Sequence, residues 1–423
     1  MQSAEMNANL SRLQPYPFQK LAALLAGITP DAALRPISLS IGEPKHPTPQ
    51  FIRDALIQQL GGLSSYPATA GSEALRSAIA RWIEQRYRID SIDAAKQVLP
   101  VNGSREALFA FAQAVVDTSD NTPAVVAPNP FYQIYEGAII LAGAEPHFLN
   151  LLPENGFALN LGQIAQETWK RTQLVYVCTP GNPTGNVMNM EEWSQLFGLS
   201  DRYGFVIASD ECYSEIYFDD NRPPLGGLEA AYRLGRKDFR RLVAFSSLSK
   251  RSNVPGMRSG FVAGDAEILA KFLLYRTYHG CAMNPAVQAA SATAWSDEQH
   301  VAENRRLYRE KFDEARAILS PVTEVNMPDA AFYLWLRTPI ADTEFARQLF
   351  EQFNVTVVPG SYLAREAHGV NPGRNFIRVA LVAAVEECVE ALQRLAAFYG
   401  QFSAGKDSND AVASLNTRRQ ATP

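Results

Sequence analysis

From about residue 97 to residue 263 the chain alternates short apolar runs, rich in valine and isoleucine, with longer segments of helical periodicity. The runs lie at 97–101, 124–127, 146–149, 174–178, 205–209, 242–245 and 260–263. An uninterrupted apolar run suits a strand buried on both faces, and a helix-length connection returns the chain so that the next strand lies parallel. The pattern therefore predicts an α/β domain with a mostly parallel seven-stranded sheet.

Such sheets bind ligands beyond the carboxyl ends of their strands. Polar clusters should then follow the apolar runs, and they do. Asn102-Gly103-Ser104-Arg105, Asn129-Pro130-Phe131-Tyr132, Thr179-Pro180-Gly181-Asn182-Pro183-Thr184-Gly185, Asp210-Glu211-Cys212-Tyr213 and Ser246-Ser247-Leu248-Ser249-Lys250 each begin where a run stops.

At 423 residues the chain is long enough for a second module. A long polar helix from about 297, an apolar stretch at 331–336, a helix at 343–353 and extended segments at 355–359 and 376–381 predict a smaller α+β unit. The expected division is an N-terminal segment at 1–50 that joins the small domain, a large domain at 51–291, the small C-terminal domain at 292–400, and a mobile tail at 401–423.

A net charge of −5 provides no field for nucleic acid or an anionic membrane, so an anionic ligand must be met by local arginines. The cysteines Cys178, Cys212, Cys281 and Cys388 lack metal-ligand spacing and read as reduced thiols of a cytoplasmic protein, and no metal site is expected. The apolar stretch at 21–27 reads as an amphipathic helix packed on the body rather than a secretory signal. No run reaches membrane-spanning length.

Taken singly, each cluster has an ordinary and a chemical reading. Lys250 among serines, with Arg258 eight residues on, is either a solvated basic turn or a nucleophile beside a phosphate site formed by Ser247, Ser249 and Arg258. Gly103-Ser104 before a helical pattern is an N-cap or a phosphate cradle. Asp210 at a strand mouth is a helix cap, a buried ion-pair partner, or the partner of a pyridinium. A carboxylate about 4 Å from such a nitrogen gains roughly 4 kcal/mol at an effective dielectric of about 20, or about three pKa units. Tyr213 and Asn182 are turn residues or donors to a phenolic oxygen, and Tyr132 is core or a stacking surface for a flat ring. Arg378 among apolar neighbours belongs to a structural salt bridge or to a substrate carboxylate. Together the chemical readings describe a pyridoxal phosphate site.

On these residues, and from about Leu13 to Phe398, the chain resembles the class I and II aminotransferases of the fold-type I pyridoxal phosphate enzymes. The resemblance rests on Asn182-Pro183-Thr184-Gly185, Asp210-Glu211-x-Tyr213, Ser247-x-Ser249-Lys250 with Arg258, and Arg378. It implies that Lys250 carries the cofactor, Asp210 pairs with its ring nitrogen, and Asn182 and Tyr213 bind its phenolic oxygen. It further implies a phosphate site at Gly103, Ser104, the Arg105 amide, Ser247 and Arg258, with Ser249 beside it. Tyr132 stacks on the ring, with Phe131 as the fallback. Arg378 takes the substrate carboxylate, aided by Asn182 and the backbone at Gly42. Tyr66 reaches the phosphate of a neighbouring subunit, which implies a homodimer with shared active sites, and Asn284-Pro285 fits the same pattern.

The resemblance implies transamination between amino and keto acids, with glutamate as donor. Tyr278-His279-Gly280-Cys281-Ala282-Met283 departs from the arginine of dicarboxylate-specific members, while Gln14-Pro15-Tyr16-Pro17-Phe18 and the 249–261 segment look most like N-succinyl-diaminopimelate aminotransferases of lysine biosynthesis. Other aminotransferases (aspartate, alanine, aromatic), a C–S β-lyase and a pyridoxal phosphate-sensing regulator stand as alternatives.

Overall fold

The computed structural model describes residues 6–119 and 122–419, with side chains described as far as 402. A short strand, β1 (Ile37–Ser38), comes first. The apolar runs then form β2 (Val98–Val101), β3 (Ala124–Asn129), β4 (Glu145–Asn150), β5 (Thr172–Cys178), β6 (Val206–Asp210), β7 (Leu242–Ser247) and β8 (Gly260–Gly264). These make one seven-stranded sheet in the order β2-β8-β7-β6-β5-β3-β4. Strand β8 runs antiparallel to both neighbours, and the remaining pairs are parallel.

Period-2 geometry explains why the runs read as continuous hydrophobic segments. Val175, Val177, Leu242, Ala244, Phe261 and Ala263 face one core, while Leu174, Tyr176, Val243, Phe245 and Val262 face another on the opposite side. Helices cover both faces, so the central strands β6 and β7 are apolar until Ser209 and Ser246 near their carboxyl ends, while the edge strand β4 is only partly buried and carries His147. Because only β8 reverses, β2, β3, β4, β5, β6 and β7 all point the same way. Their carboxyl ends therefore share one edge of the sheet.

The smaller unit holds β9 (Tyr333–Arg337), β10 (Val355–Thr356), β11 (Val358–Pro359) and β12 (Phe376–Ala380), with a three-stranded antiparallel sheet ordered β11-β12-β9. Strand β10 pairs in parallel with β1, so residues near the N-terminus complete this unit. The long helix Gln299–Leu319 and the last helix pack over it, burying Phe312, Leu334, Phe345, Ile377, Leu392 and Phe398 together.

The last helix spans Val385–Arg419, so the boundary expected at 401 falls inside a continuous helix rather than at the start of a separate tail. Its backbone hydrogen bonding does not need the apolar periodicity that the sequence lacks there. Residues 420–423 lie outside the described residues. No helix among the described residues is long and apolar enough to cross a membrane.

Candidate active site

The chemical side chains of the large sheet emerge at or just beyond element ends whose local geometry follows from sequence. Strand β7 stops at Ser247, whose hydroxyl accepts the Ser249 amide at 3.1 Å and starts the one-turn helix Leu248–Arg251. Lys250 lies on that turn, and its Nζ donates to the Gly42 carbonyl at 2.5 Å. A Cβ at Gly42 would collide with the Tyr333 hydroxyl, so only glycine brings that carbonyl so close.

Strand β6 ends at Asp210, which accepts the Tyr135 hydroxyl at 2.6 Å and the Cys212 amide at 3.3 Å. The helix Ser104–Val115 starts at Gly103 with φ +85° and has no side-chain cap, which leaves its first amides free. A side chain at Gly103 would run into the Arg258 guanidinium. Free helix amides, the Ser104 hydroxyl and Arg258 thus converge, and that combination suits a phosphate.

From the smaller unit, central strand β12 supplies Arg378. Its Nη1 donates to Asn182 Oδ1 at 3.0 Å and its Nη2 to the Ser40 carbonyl at 2.8 Å, while its buried Nε has no partner. The guanidinium lies 4.5 Å over the Tyr333 ring, and the Tyr333 and Tyr213 hydroxyls are 3.0 Å apart.

These groups line one cavity of about 550 Å³. Lys250, Asp210, Tyr213, Asn182, Ser104, Arg105, Tyr132, Ser247, Ser249, Arg258, Gly42 and Arg378 all reach it. Gly103 stands behind Arg258. Tyr66 does not line the cavity and is fully exposed in the single chain. Phe131 is buried against Phe148 at 5.0 Å, so of the two aromatic candidates only Tyr132 faces the cavity.

Sequence reasoning missed Tyr333, Cys212, Gln133 and Glu43 as lining residues and Tyr135 as the group behind Asp210. Tyr333 sits on an ordinary strand pattern and Tyr135 in an ordinary helix, so nothing local marks them. Tyr16 and Phe18 line the cavity too; the sequence singled out their motif only as a subfamily likeness.

The cavity carries four cations, Lys250, Arg105, Arg258 and Arg378, against two carboxylates, Asp210 and Glu43. Burial pushes the Lys250 amine down to about 8, with Arg378 and Arg258 adding to the effect and Cys212 and Glu43 opposing it. Burial pushes Asp210 above the usual carboxylate range, against the hydrogen bonds from Tyr135 and Cys212 and the nearby charge of Lys250. Tyr213 is raised by burial and by Tyr333, which keeps its phenol protonated as a donor. Burial also holds Cys212 as a neutral thiol.

Among the described residues Asp210 makes no ion pair and Arg378 touches no carboxylate, although both are almost wholly buried. Each lacks an opposite charge that the protein does not supply. A phosphorylated pyridine with a ring cation for Asp210 and a phosphate for Arg258 and Ser104, bound together with a carboxylate for Arg378, fits this set. The Asn182 amide nitrogen is left as a donor for a phenolic oxygen, and the Tyr213 hydroxyl lies beside it in a hydrogen bond with Tyr333 in which either oxygen can donate.

A family model described as aminotransferase class I and II matches residues 35–397. The chain is 31% identical over 395 residues to an LL-diaminopimelate aminotransferase from Maridesulfovibrio salexigens, covering 91% of this chain and 97% of the relative. Among solved structures, an aminotransferase from Neisseria meningitidis superposes with TM-score 0.91 at 53% identity, covering 93% of this chain and all of that one (100%). A probable N-succinyldiaminopimelate aminotransferase from Thermus thermophilus superposes with TM-score 0.80 at 25% identity, covering 90% of this chain and 100% of that one.

A lysine whose folded pKa lies below its unfolded value is penalised while charged. That penalty is present below about 8 and is relieved as pH rises toward the ordinary lysine range. In cofactor-free protein, competitive acylation read by peptide mass spectrometry should half-label Lys250 near pH 8, well below exposed lysines. Half-labelling in the ordinary lysine range would show that the cavity does not desolvate this amine.

Proposed function

The chain belongs to the class I and II aminotransferases, which use pyridoxal 5′-phosphate, and on that premise we propose that it moves an amino group between glutamate and the keto acid of N-succinyl-LL-2,6-diaminopimelate, in lysine biosynthesis. The observation that carries the transaminase chemistry is the cavity itself, where a buried amine, an unpaired buried carboxylate and an unpaired buried guanidinium face one another.

Bound pyridoxal phosphate supplies an electron sink that makes the α-hydrogen of an amino acid acidic. In the proposed roles Lys250 holds the cofactor covalently. Freed by the amino substrate, its Nζ is a base already tuned toward neutrality, able to accept the Cα proton and return it. Asp210 holds positive charge at the ring nitrogen, and Tyr135 fixes the orientation of that carboxylate. Tyr213 and Asn182 donate to the phenolic oxygen, while Gly103, Ser104, the Arg105 amide, Ser247, Ser249 and Arg258 form the phosphate site. Tyr132 stacks on the ring. Arg378 and the Gly42 backbone fix the substrate α-carboxylate, with Asn182 bridging the two functions through Arg378 Nη1.

The distal group of the substrate is read from the cavity mouth. The Arg105 side chain is exposed there, hydrogen-bonded to the Tyr16 hydroxyl at 3.0 Å and lying 5.5 Å over its ring, with no carboxylate partner among the described residues. A distal succinyl carboxylate meets that need, and the Thermus neighbour supports it. The LL-diaminopimelate relatives support a second reading, in which the exposed Glu43 at the same mouth receives a distal ammonium.

The proposal includes a second copy of the chain. Tyr66 and Tyr278 are exposed at 104% and 89%, and Ile57, Leu60, Leu63 and Leu274 are exposed apolar neighbours in sequence. Single chains seldom leave so many large apolar side chains in water, and Tyr66 has no site in its own chain.

Lys250→Ala should abolish the pH-dependent visible absorbance of bound cofactor and reduce turnover by about 10⁴-fold; normal turnover would refute the assignment. Single half-reactions with N-succinyl-LL-diaminopimelate and with LL-diaminopimelate, read by cofactor absorbance, should favour the first, and Arg105→Gln should weaken it by about tenfold or more while leaving LL-diaminopimelate nearly unchanged. Preference for LL-diaminopimelate with loss on Glu43→Gln selects the second reading. Sedimentation should give a dimer, and Tyr66→Ala should raise the apparent Kd for cofactor; a monomer at working concentration would remove Tyr66 from the site.

A further inference from the structure

The long helix Gln299–Leu319 carries Asn304, Tyr308 and Lys311 on one face, at helical spacing of four and three. Lys311 is completely buried and forms no ion pair among the described residues. Its Nζ lies 2.6 Å from His46 Nε2, and His46 Nδ1 lies 2.7 Å from Asn304 Oδ1. Asn304 Nδ2 then donates to the carbonyl of Lys250 at 3.2 Å and to that of Arg251 at 3.5 Å. Those carbonyls end the one-turn helix Leu248–Arg251 and find no continuing helix to pair with.

The direction of each bond is settled. Asn253 Nδ2 also donates to Asn304 Oδ1, at 3.1 Å, so that oxygen accepts and His46 Nδ1 carries the hydrogen. His46 Nε2 is then a lone pair, and it accepts from Lys311. Burial and the Lys311 charge push His46 down to about 4, so the imidazole stays neutral and the order of donors persists at physiological pH.

His46 lies four residues beyond Gly42, whose carbonyl takes the Lys250 amine. The 42–46 segment therefore touches Lys250 twice, at its side-chain tip and, through Asn304, at its backbone. We propose that Lys311, His46 and Asn304 are positioning residues for Lys250, a directional relay that locks its backbone to the segment presenting Gly42. This rests on Lys250 being the catalytic lysine, as proposed above. A buried lysine with an imidazole as its polar partner is an expensive way to hold two modules together, and apolar packing would do so without desolvating a charge. What the polar chain adds is a defined position for one amine.

The test uses full-length enzyme carrying Lys311→Met, His46→Leu and His46→Gln. Loosening the relay should lower kcat by about tenfold in Lys311→Met and His46→Leu, with KM for both substrates within about twofold, because a small displacement of a reacting group slows chemistry more than binding. Acylation of cofactor-free protein should place the Lys250 amine above its native value of about 8, as the freed Nζ gains water. His46→Gln, which can accept from Lys311 and donate to Asn304, should restore most of both properties. A lowered melting temperature with kcat and the Lys250 titration unchanged would overturn the proposal and leave a structural contact. If Lys311→Met does not fold, the half-buried His46 pair carries the test alone. Because the Lys250 titration is read without turnover, it judges the relay even if the transaminase assignment fails.

Discussion

Unpaired charge held out of water organises this molecule. Outside the cavity, buried arginines are matched by carboxylates: Arg276 with Glu106 at 2.9 Å, Arg305 with Asp220 at 3.2 Å, and Arg251 with Glu298. Inside it, Arg378 and Asp210 are as buried as those residues and have no such partner, while Lys250 rests against a carbonyl. Leaving a buried charge unmatched costs stability unless a ligand completes it. The rest of the architecture makes that arrangement sustainable by mounting it on strands whose side chains are closely packed and buried.

Rigidity comes from where the groups are mounted. Six strand ends share one edge of the large sheet, and the polar clusters that build the cavity follow five of them, β2, β3, β5, β6 and β7. Such strands cannot shift by a single position without driving their apolar residues to the wrong face. The smaller unit contributes Arg378 from the centre of its sheet, and the N-terminal helix Pro17–Leu25 is fixed by Leu21 packing among Trp335, Val358, Leu363 and Phe376. That packing carries Tyr16 and Phe18 to the cavity mouth.

Legibility followed burial. The seven strands of the large sheet were readable because two-sided burial leaves uninterrupted apolar runs, and Lys250, Asp210 and Asn182 stood out because each polar cluster interrupts such a run. Tyr135 and Tyr333 did not, since each lies within an element whose pattern packing explains, and His46 did not because it lies in an irregular segment with no motif around it. Lys311 sits in a charged helix that reads as solvated along most of its length, yet its own position faces inward and is sealed by Tyr308 and His46. The last helix, Val385–Arg419, crosses the boundary expected at 401, where the sequence has no apolar stripe to mark it.

By itself the sequence determined the α/β class, the order of the strands along the chain, and the family to which the cavity chemistry belongs, because these depend on local periodicity and on short motifs. It could not determine the charge states and partners on which the site depends. The low pKa of Lys250, the missing partners of Arg378 and Asp210, and the relay from Lys311 through His46 each join residues tens to hundreds of positions apart. Desolvation and hydrogen bonding are properties of the space a side chain occupies, and only the tertiary structure assembles that space.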